Sequence, residues 1–410
     1  MAKLIYMDNA ATTRLAPEVL ESMLPYYREE YANASSAYTF AGKIAQTLAG
    51  AKEIIASAIG AKGDEIYITS GGSEADNWAI KGVADALKDK GNHIITTAIE
   101  HHAVLHTCEF LEKHGYDVTY VSVDEYGNID LEELEEAIRP STILISVMFA
   151  NNEIGTIEPV EEIGKIAHEH GICFHTDAVQ AFGHRPIDVK RMHIDLLSAS
   201  AHKVNGPKGI GFLYIRPGVR IANLIHGGAQ ERGRRAGTTN TPAIVGFAKA
   251  SELAAKNMEE RNAYESSLRD RLIRRVLEEI PYTRLNGDKV NRLSNNANFC
   301  FRFVEGESLL ILLDQKGISA SSGSACTSGS LDPSHVLLAI GLPHELAHGS
   351  LRLTVSTETT EEDIDDTVDA LKEIIQKLRG MSPLYEDFIN KSNSSKNVYE
   401  EERYESGNRI

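Results

Sequence analysis

The sequence predicts an α/β protein, with a large unit built on a mostly parallel sheet flanked by helices and a smaller α+β unit after it. Three observations carry this. Between about residues 65 and 215, short β-branched runs alternate with stretches of helical period. A long helical stretch over residues 243–279 then interrupts the alternation. Beyond it, two further strand-like runs sit among helical segments. A chain of 410 residues also exceeds one ordinary domain. The expected division is a large unit over residues 14–257, with residues 1–13 and 258–389 forming the smaller one. Residues 390–410 are polar and lack an apolar period, so they are expected to be a disordered tail.

Taken in order, residues 66–69, 93–97, 117–121, 142–148, 172–176 and 196–200 read as buried strands. Amphipathic helices over residues 74–88 and 131–138 fall between them. In the later part, strands are expected near 297–303 and 350–355, and helices near 307–316 and 360–378. Sheets of this kind bind ligands beyond the carboxyl ends of their strands, so the informative motifs directly follow a strand.

Composition narrows the function classes. The apolar share of 42% and charged share of 25% are those of a soluble globular protein. The longest apolar runs are far shorter than the roughly 20 residues a membrane span needs. The N-terminus lacks an apolar core and cleavage site, so no secretion signal is expected and the expected address is cytoplasmic. A net charge of −17 argues against a nucleic-acid-binding surface. Arg232, Arg234 and Arg235 form the densest basic cluster, in a Gly-rich loop. Four separated cysteines without a CxxC do not read as a disulfide framework or a thiolate metal site. Cys108, Cys173 and Cys300 have apolar neighbours and read as buried; Cys326 lies in a Ser/Gly-rich run and does not.

Three motifs follow strands. After 66–69 comes Ser70-Gly71-Gly72-Ser73-Glu74 and then a helix, whose N-terminal N–H groups suit an anion such as phosphate. After 172–176 comes Asp177-Ala178-Val179-Gln180, a carboxylate that needs a partner where it is buried, as a protonated heterocyclic nitrogen would be. After 196–200 comes Ala201-His202-Lys203, and a lysine at a buried edge is disposed to Schiff-base chemistry. Phosphate cradle, ring-nitrogen acid and lysine together match the requirements of pyridoxal 5′-phosphate. Glu100, His101, His102 and His106 could instead suggest a metal, but no matching ligand set recurs elsewhere, and none is expected.

From Tyr6 to Tyr385 the chain resembles the NifS/IscS-like cysteine desulfurases, within fold-type I pyridoxal-phosphate enzymes of the class-V aminotransferase kind. The resemblance rests on Thr69-Ser-Gly-Gly-Ser-Glu74, Glu100-His101, Asn151-Asn-Glu-Ile-Gly155, His175-Thr-Asp-Ala-Val-Gln180, Ser200-Ala-His-Lys203, Gly237-Thr238 and Ser321-Ser-Gly-Ser-Ala-Cys-Thr327. It implies that Lys203 carries the cofactor and moves protons at the substrate Cα, that Asp177 pairs with the ring nitrogen, and that Gln180 bonds the ring hydroxyl. It further implies that His101 stacks on the ring as acid or base. Gly72, Ser73, Ser200 and His202 would hold the phosphate, joined by Thr238 of a second subunit in a homodimer. Asn152, beside the cofactor, and Arg352 would grip the carboxylate of L-cysteine. Cys326 would take the sulfur as a persulfide and pass it to an acceptor: an iron–sulfur scaffold, a tRNA-thiolation protein or another carrier. It could also ligate a cluster transiently.

Ala34, Tyr38, Ala229 and Ala236 depart from the family's usual glycine, proline, histidine and serine loop residues, leaving loop geometry and partner surface open. Two alternatives also stay open: a selenocysteine lyase-like enzyme of the same fold, or a non-catalytic platform for iron–sulfur assembly. Retention of Lys203 and His101 argues against the platform.

Overall fold

The computed structural model describes residues 3–322 and 333–391. Its central sheet has seven strands, in the order Ile66–Thr69, Gly211–Ile215, Leu196–Ser200, Cys173–Asp177, Thr142–Ser146, His93–Thr97, Asp117–Val121. The last five of these are mutually parallel; Gly211–Ile215 runs antiparallel to both its neighbours. Every residue of Ile66–Thr69, His93–Thr97, Thr142–Ser146, Leu196–Ser200 and Gly211–Ile215 is buried. That is why all of these but Gly211–Ile215 read as buried strands and not as alternating ones.

Several expected boundaries move. The run over 142–148 leaves the sheet after Ser146, and the run over 172–176 shifts one residue, so Asp177 ends its strand and does not follow it. The helix expected over 74–88 starts at Gly72, inside the glycine motif. The stretch over 243–279 is two helices, Thr241–Lys256 and Met258–Glu279, because Asn257 leaves helical geometry (φ −107°, ψ 13°) and begins the second one. Gly211–Ile215 was not expected as a strand. Gly211 has to be glycine: a Cβ there would lie 2.4 Å from the Ala199 carbonyl oxygen and 2.8 Å from the Gly71 backbone, so the glycine motif packs directly on this strand.

A second, three-stranded antiparallel sheet has the order Ser350–Thr354, Asn296–Phe301, Thr283–Asn286. Its core, including Phe299, Leu351 and Leu353, is shared with Leu268, Leu272 and Val276 of Met258–Glu279 and with Val368 and Leu371 of Glu361–Gly380. Thr283–Asn286 was also unexpected. The N-terminal segment joins this core through Ile5 and Met7, pairs with Ile318–Ser319, and then crosses to the central sheet, where Thr13 N–H donates to the His202 carbonyl at 2.9 Å. The crossing carries Asp8 and the carbonyls of Ala10 and Ala11 past the carboxyl ends of the central strands. The chain is helical over residues 383–391, so the tail expected from Asn390 keeps its first two residues in a helix; the rest of it lies outside the described residues.

Candidate active site

At the carboxyl edge of the central sheet lies a cavity of about 360 Å³. Segments that follow the strands form its wall: Gly72 and Ser73 after Ile66–Thr69, Glu100 and His101 after His93–Thr97, Asn152 and Glu153 after Thr142–Ser146. Asp177, Val179 and Gln180 follow from Cys173–Asp177, Ser200, His202 and Lys203 from Leu196–Ser200, and Arg352 from the second sheet. A doubly wound sheet places its ligands at this edge.

One end of the cavity is backbone-lined. Gly71, with φ 155° and ψ −175°, caps the 16-residue helix Gly72–Leu87, in a conformation open essentially to glycine alone. A Cβ on Gly72 would sit 2.6 Å from Val179 Cγ2, inside the cavity wall. The helix N-terminus therefore faces the cavity with its N–H groups unobstructed, a fit for a phosphate. Glu74, an anion beside this end, is held by Arg235 through Nε–Oε1 at 2.8 Å and Nη2–Oε2 at 3.0 Å and accepts the Ser70 N–H at 2.7 Å. Burial works to raise its carboxyl, but these donors hold it below its ordinary value. Arg232 and Arg234 lie over the Tyr67 ring at 4.5 and 5.4 Å, so the basic cluster is engaged with the body of the protein.

The floor carries Asp177. Its Oδ1 accepts the Val179 N–H at 2.8 Å, and burial pushes its carboxyl up to about 6, a shift that a cationic ring nitrogen would reverse. Lys203 Nζ donates to the Ala10 carbonyl and, at 2.9 Å, to that of Ala11. Gln180 Nε2 donates to the Ala10 carbonyl at 3.1 Å, so the N-terminal crossing orients both side chains.

His101 is the N-cap of the helix His102–Glu112: its Nδ1 accepts the Ala103 N–H at 3.1 Å. The neutral ring's proton must then reside on Nε2. Burial first, then the charge of Lys203, bring its pKa down to about 4. His202, whose Nδ1 meets Thr12 Oγ1 at 3.2 Å, is likewise lowered to about 4, by burial and then by Lys203. Both imidazoles are neutral at neutral pH.

Arg352, buried to 2% exposure, donates to Asp8 and to the Asn152 carbonyl. Glu100 accepts from Thr97 Oγ1 and Met148 N–H, both at 2.8 Å, through Oε1, leaving Oε2 buried without a partner.

Ten of the predicted residues thus line one cavity: Gly72, Ser73, His101, Asn152, Asp177, Gln180, Ser200, His202, Lys203 and Arg352. Thr238 does not; it lines a separate hollow with Ser70, Gly209 and Arg235. Cys326 lies outside the described residues. Sequence reasoning missed Asp8, Asp76 and Glu153. Asp76 had a signal, since it is an acid in the buried stripe of Ala75, Ala79, Ile80 and Val83. Asp8 had none, and Glu153 had none beyond its place in Asn151-Asn-Glu-Ile-Gly155.

Glycine cradle, buried acid, lysine and capped imidazole around one cavity have the donor set that pyridoxal 5′-phosphate requires. The Aminotransferase class-V family model matches residues 5–367. Cysteine desulfurase IscS of Clostridium botulinum (strain Hall) is 60% identical over 391 residues, covering 95% of this chain and 98% of that one. A solved NifS-like protein superposes with a TM-score of 0.86 at 38% identity, covering 91% of this chain and all of the other. SspA in complex with cysteine superposes at 0.77 with 42% identity, covering 86% of this chain and 99% of that one. The chain belongs to the class-V aminotransferase family and, within it, to the cysteine desulfurases. Its cofactor is pyridoxal 5′-phosphate.

Proposed function

We infer that this cysteine desulfurase converts L-cysteine to L-alanine and keeps the sulfur as a persulfide on Cys326. What supports the reading is the convergence of Lys203, Asp177, His101 and the Gly72 cradle on one cavity into which the buried Arg352 also opens. When bound, pyridoxal 5′-phosphate supplies the electron sink that the bond changes on the substrate require. The helix N-terminus at Gly72, with Ser73, Ser200 and His202, holds its phosphate. Asp177 would offer a carboxylate to the ring nitrogen. Lys203 would be the residue that holds the group covalently, and its amine would take and return a proton at the substrate Cα.

His101 offers the cavity an Nε2–H donor. Arg352 and Asn152 would hold the substrate carboxylate. The Cys326 thiolate attacks the substrate Sγ. An S–S bond forms as Cβ–Sγ breaks, the electron pair stays with Cβ, and a proton completes L-alanine.

The experiment is direct. The purified holoprotein should change its visible absorbance on adding L-cysteine, release one alanine per persulfide, and carry that persulfide on Cys326. Unchanged absorbance, or alanine without a persulfide, would refute the assignment.

We also propose a homodimer in which Thr238 completes the phosphate site of the partner subunit. Its position outside its own chain's cavity supports this, as do the exposed aromatic side chains Tyr27, Tyr31 and Phe40 on or beside the helices Pro17–Arg28 and Thr39–Ser57. Sedimentation at micromolar concentration should show a dimer, and an active monomer would end the idea. A sulfur-accepting protein, such as an iron–sulfur scaffold, and a cytoplasmic site of action complete the proposal. Among the described residues no helix is long and apolar enough to cross a membrane.

The large unit over residues 14–257 and the smaller one over 1–13 and 258–389 remain our proposed division. The separate core around Phe299 and Leu351 supports it.

A further inference from the structure

Asp76 takes no part in the scheme above, yet it lines the cavity beside Asp177 with 1% of its surface exposed. Its Oδ1 has no hydrogen-bond partner. The nearest basic atom, His175 Nε2, is 3.7 Å away, beyond hydrogen-bond reach. His175 commits both ring nitrogens to hydroxyls, Ser146 at 2.8 Å and Ser198 at 3.0 Å, and burial lowers its pKa to about 3. No imidazolium therefore balances Asp76.

The titratable groups that face it make an anion harder still. Asp177, on the strand beneath, and His101, on the loop before the neighbouring helix, each bring a polar atom within 4.8 Å of one on Asp76. Glu100, also buried, adds a second acid from the same loop. Two carboxylates this close in a buried site do not both ionise. The competition between them has a clear winner. Asp177 has the Val179 N–H on Oδ1 and the charge of Lys203 nearby, whereas Asp76 has a neutral hydroxyl, that of Ser198. Burial, and then the charge of Asp177, raise the Asp76 carboxyl well above its ordinary value.

An apolar side chain here would fill the helix–sheet contact without desolvating any polar atom. An acid does something an alanine cannot. We propose that Asp76 is a positioning residue, a neutral carboxylic acid whose short-range dipole keeps the negative charge of the cavity floor on Asp177, where the cofactor's ring nitrogen needs it. The role rests on the assignment of pyridoxal 5′-phosphate to this cavity.

The test has two arms. Infrared difference spectroscopy between the wild-type apoprotein and Asp76→Asn should show a protonated carboxylic-acid carbonyl band, sensitive to deuterium, that the variant lacks. This arm reads Asp76 whether or not cofactor binds, so a failure of the cofactor assignment, seen as wild-type apoprotein that takes up no pyridoxal 5′-phosphate, is separately visible. In the second arm, cofactor affinity should fall about tenfold in Asp76→Ala, the scale of one lost hydrogen-bonding group. Asp76→Asn, a neutral isostere, should recover most of that loss. Absence of the acid band, wild-type affinity in Asp76→Ala, or an Asn variant as weak as the Ala variant would each overturn the proposal. If Asp76→Ala does not fold, the infrared arm and the Asn affinity still decide it.

Discussion

Arg352 and Asp8 form an ion pair, Nη2 to Oδ1 at 2.9 Å, that ties the second sheet to the N-terminal crossing at the wall of the cavity. Its other arm, Nη1, donates to the Asn152 carbonyl at 3.1 Å, while Nε is buried without a partner. The guanidinium is held from two sides and still has donors to give, which is how a carboxylate site is pre-organised.

Arg352→Lys should therefore raise KM for cysteine at least about tenfold while lowering kcat less, because a point charge replaces a planar fork that two neighbours orient. Steady-state kinetics on the holoprotein measure it. An unchanged KM would remove Arg352 from substrate binding.

His101 caps a helix, and two substitutions separate that bond from the proton donation proposed for its Nε2–H. Asn at this position can still accept the Ala103 N–H and cap the helix, so His101→Asn should keep thermal stability close to wild type. His101→Ala should lose about 1 kcal/mol in addition, the usual loss for a missing cap. Both should cut turnover about a hundredfold or more through loss of the Nε2–H donor. Because the ring has a pKa of about 4, the wild-type rate should show no inflection from His101 between pH 6 and pH 8. A His101-dependent inflection in that window would mean that the ring works as a cation.

The legible part of this protein was what repeats locally. Buried strands announce themselves as apolar runs, and Lys203, Asp177 and the glycine cradle each stand at a strand's end, where the fold makes chemistry probable. Gly211–Ile215 was hidden because Gly206 to Gly211 reads as a loop, and its need for glycine comes from Ala199 and Gly71 across the sheet. The helix break at Asn257 was hidden because the helical pattern continues through it. Asp8 could not be found by any local pattern, since its partner is 344 residues away. Asp76 was legible in principle, as an acid within the buried stripe of its helix, but its neighbour Asp177 lies on another element and only the fold brings the two together.

Cofactor binding should depend on pH through Asp177. Burial raises its carboxyl to about 6, and a ring cation binds the carboxylate form. The sign follows: affinity of the apoprotein for pyridoxal 5′-phosphate rises as pH increases toward about 6 and levels off above it. Asp177→Asn should flatten this step and reduce turnover severely, an effect on the order of several kcal/mol on the barrier. Fluorescence titration of wild-type and variant apoprotein across the range measures it. The same slope in both would place the titrating group elsewhere.

Cys326→Ala should take up L-cysteine, shift the cofactor absorbance, and then stall with neither alanine release nor persulfide. The described thiols are poor substitutes for it. Burial raises Cys108 to about 12 and Cys300 to about 11, and raises Cys173 well above its ordinary value, so each stays a protonated thiol at neutral pH. The thiolate is the nucleophile, and these side chains supply almost none of it. Cys108→Ala, Cys173→Ala and Cys300→Ala should consequently keep persulfide formation, with Cys108→Ala and Cys300→Ala less stable because both are fully buried. Alkylation after one turnover, followed by peptide mass analysis, locates the sulfur. A persulfide on Cys108, Cys173 or Cys300, or normal alanine release without Cys326, would show that the sulfur leaves cysteine by a different route.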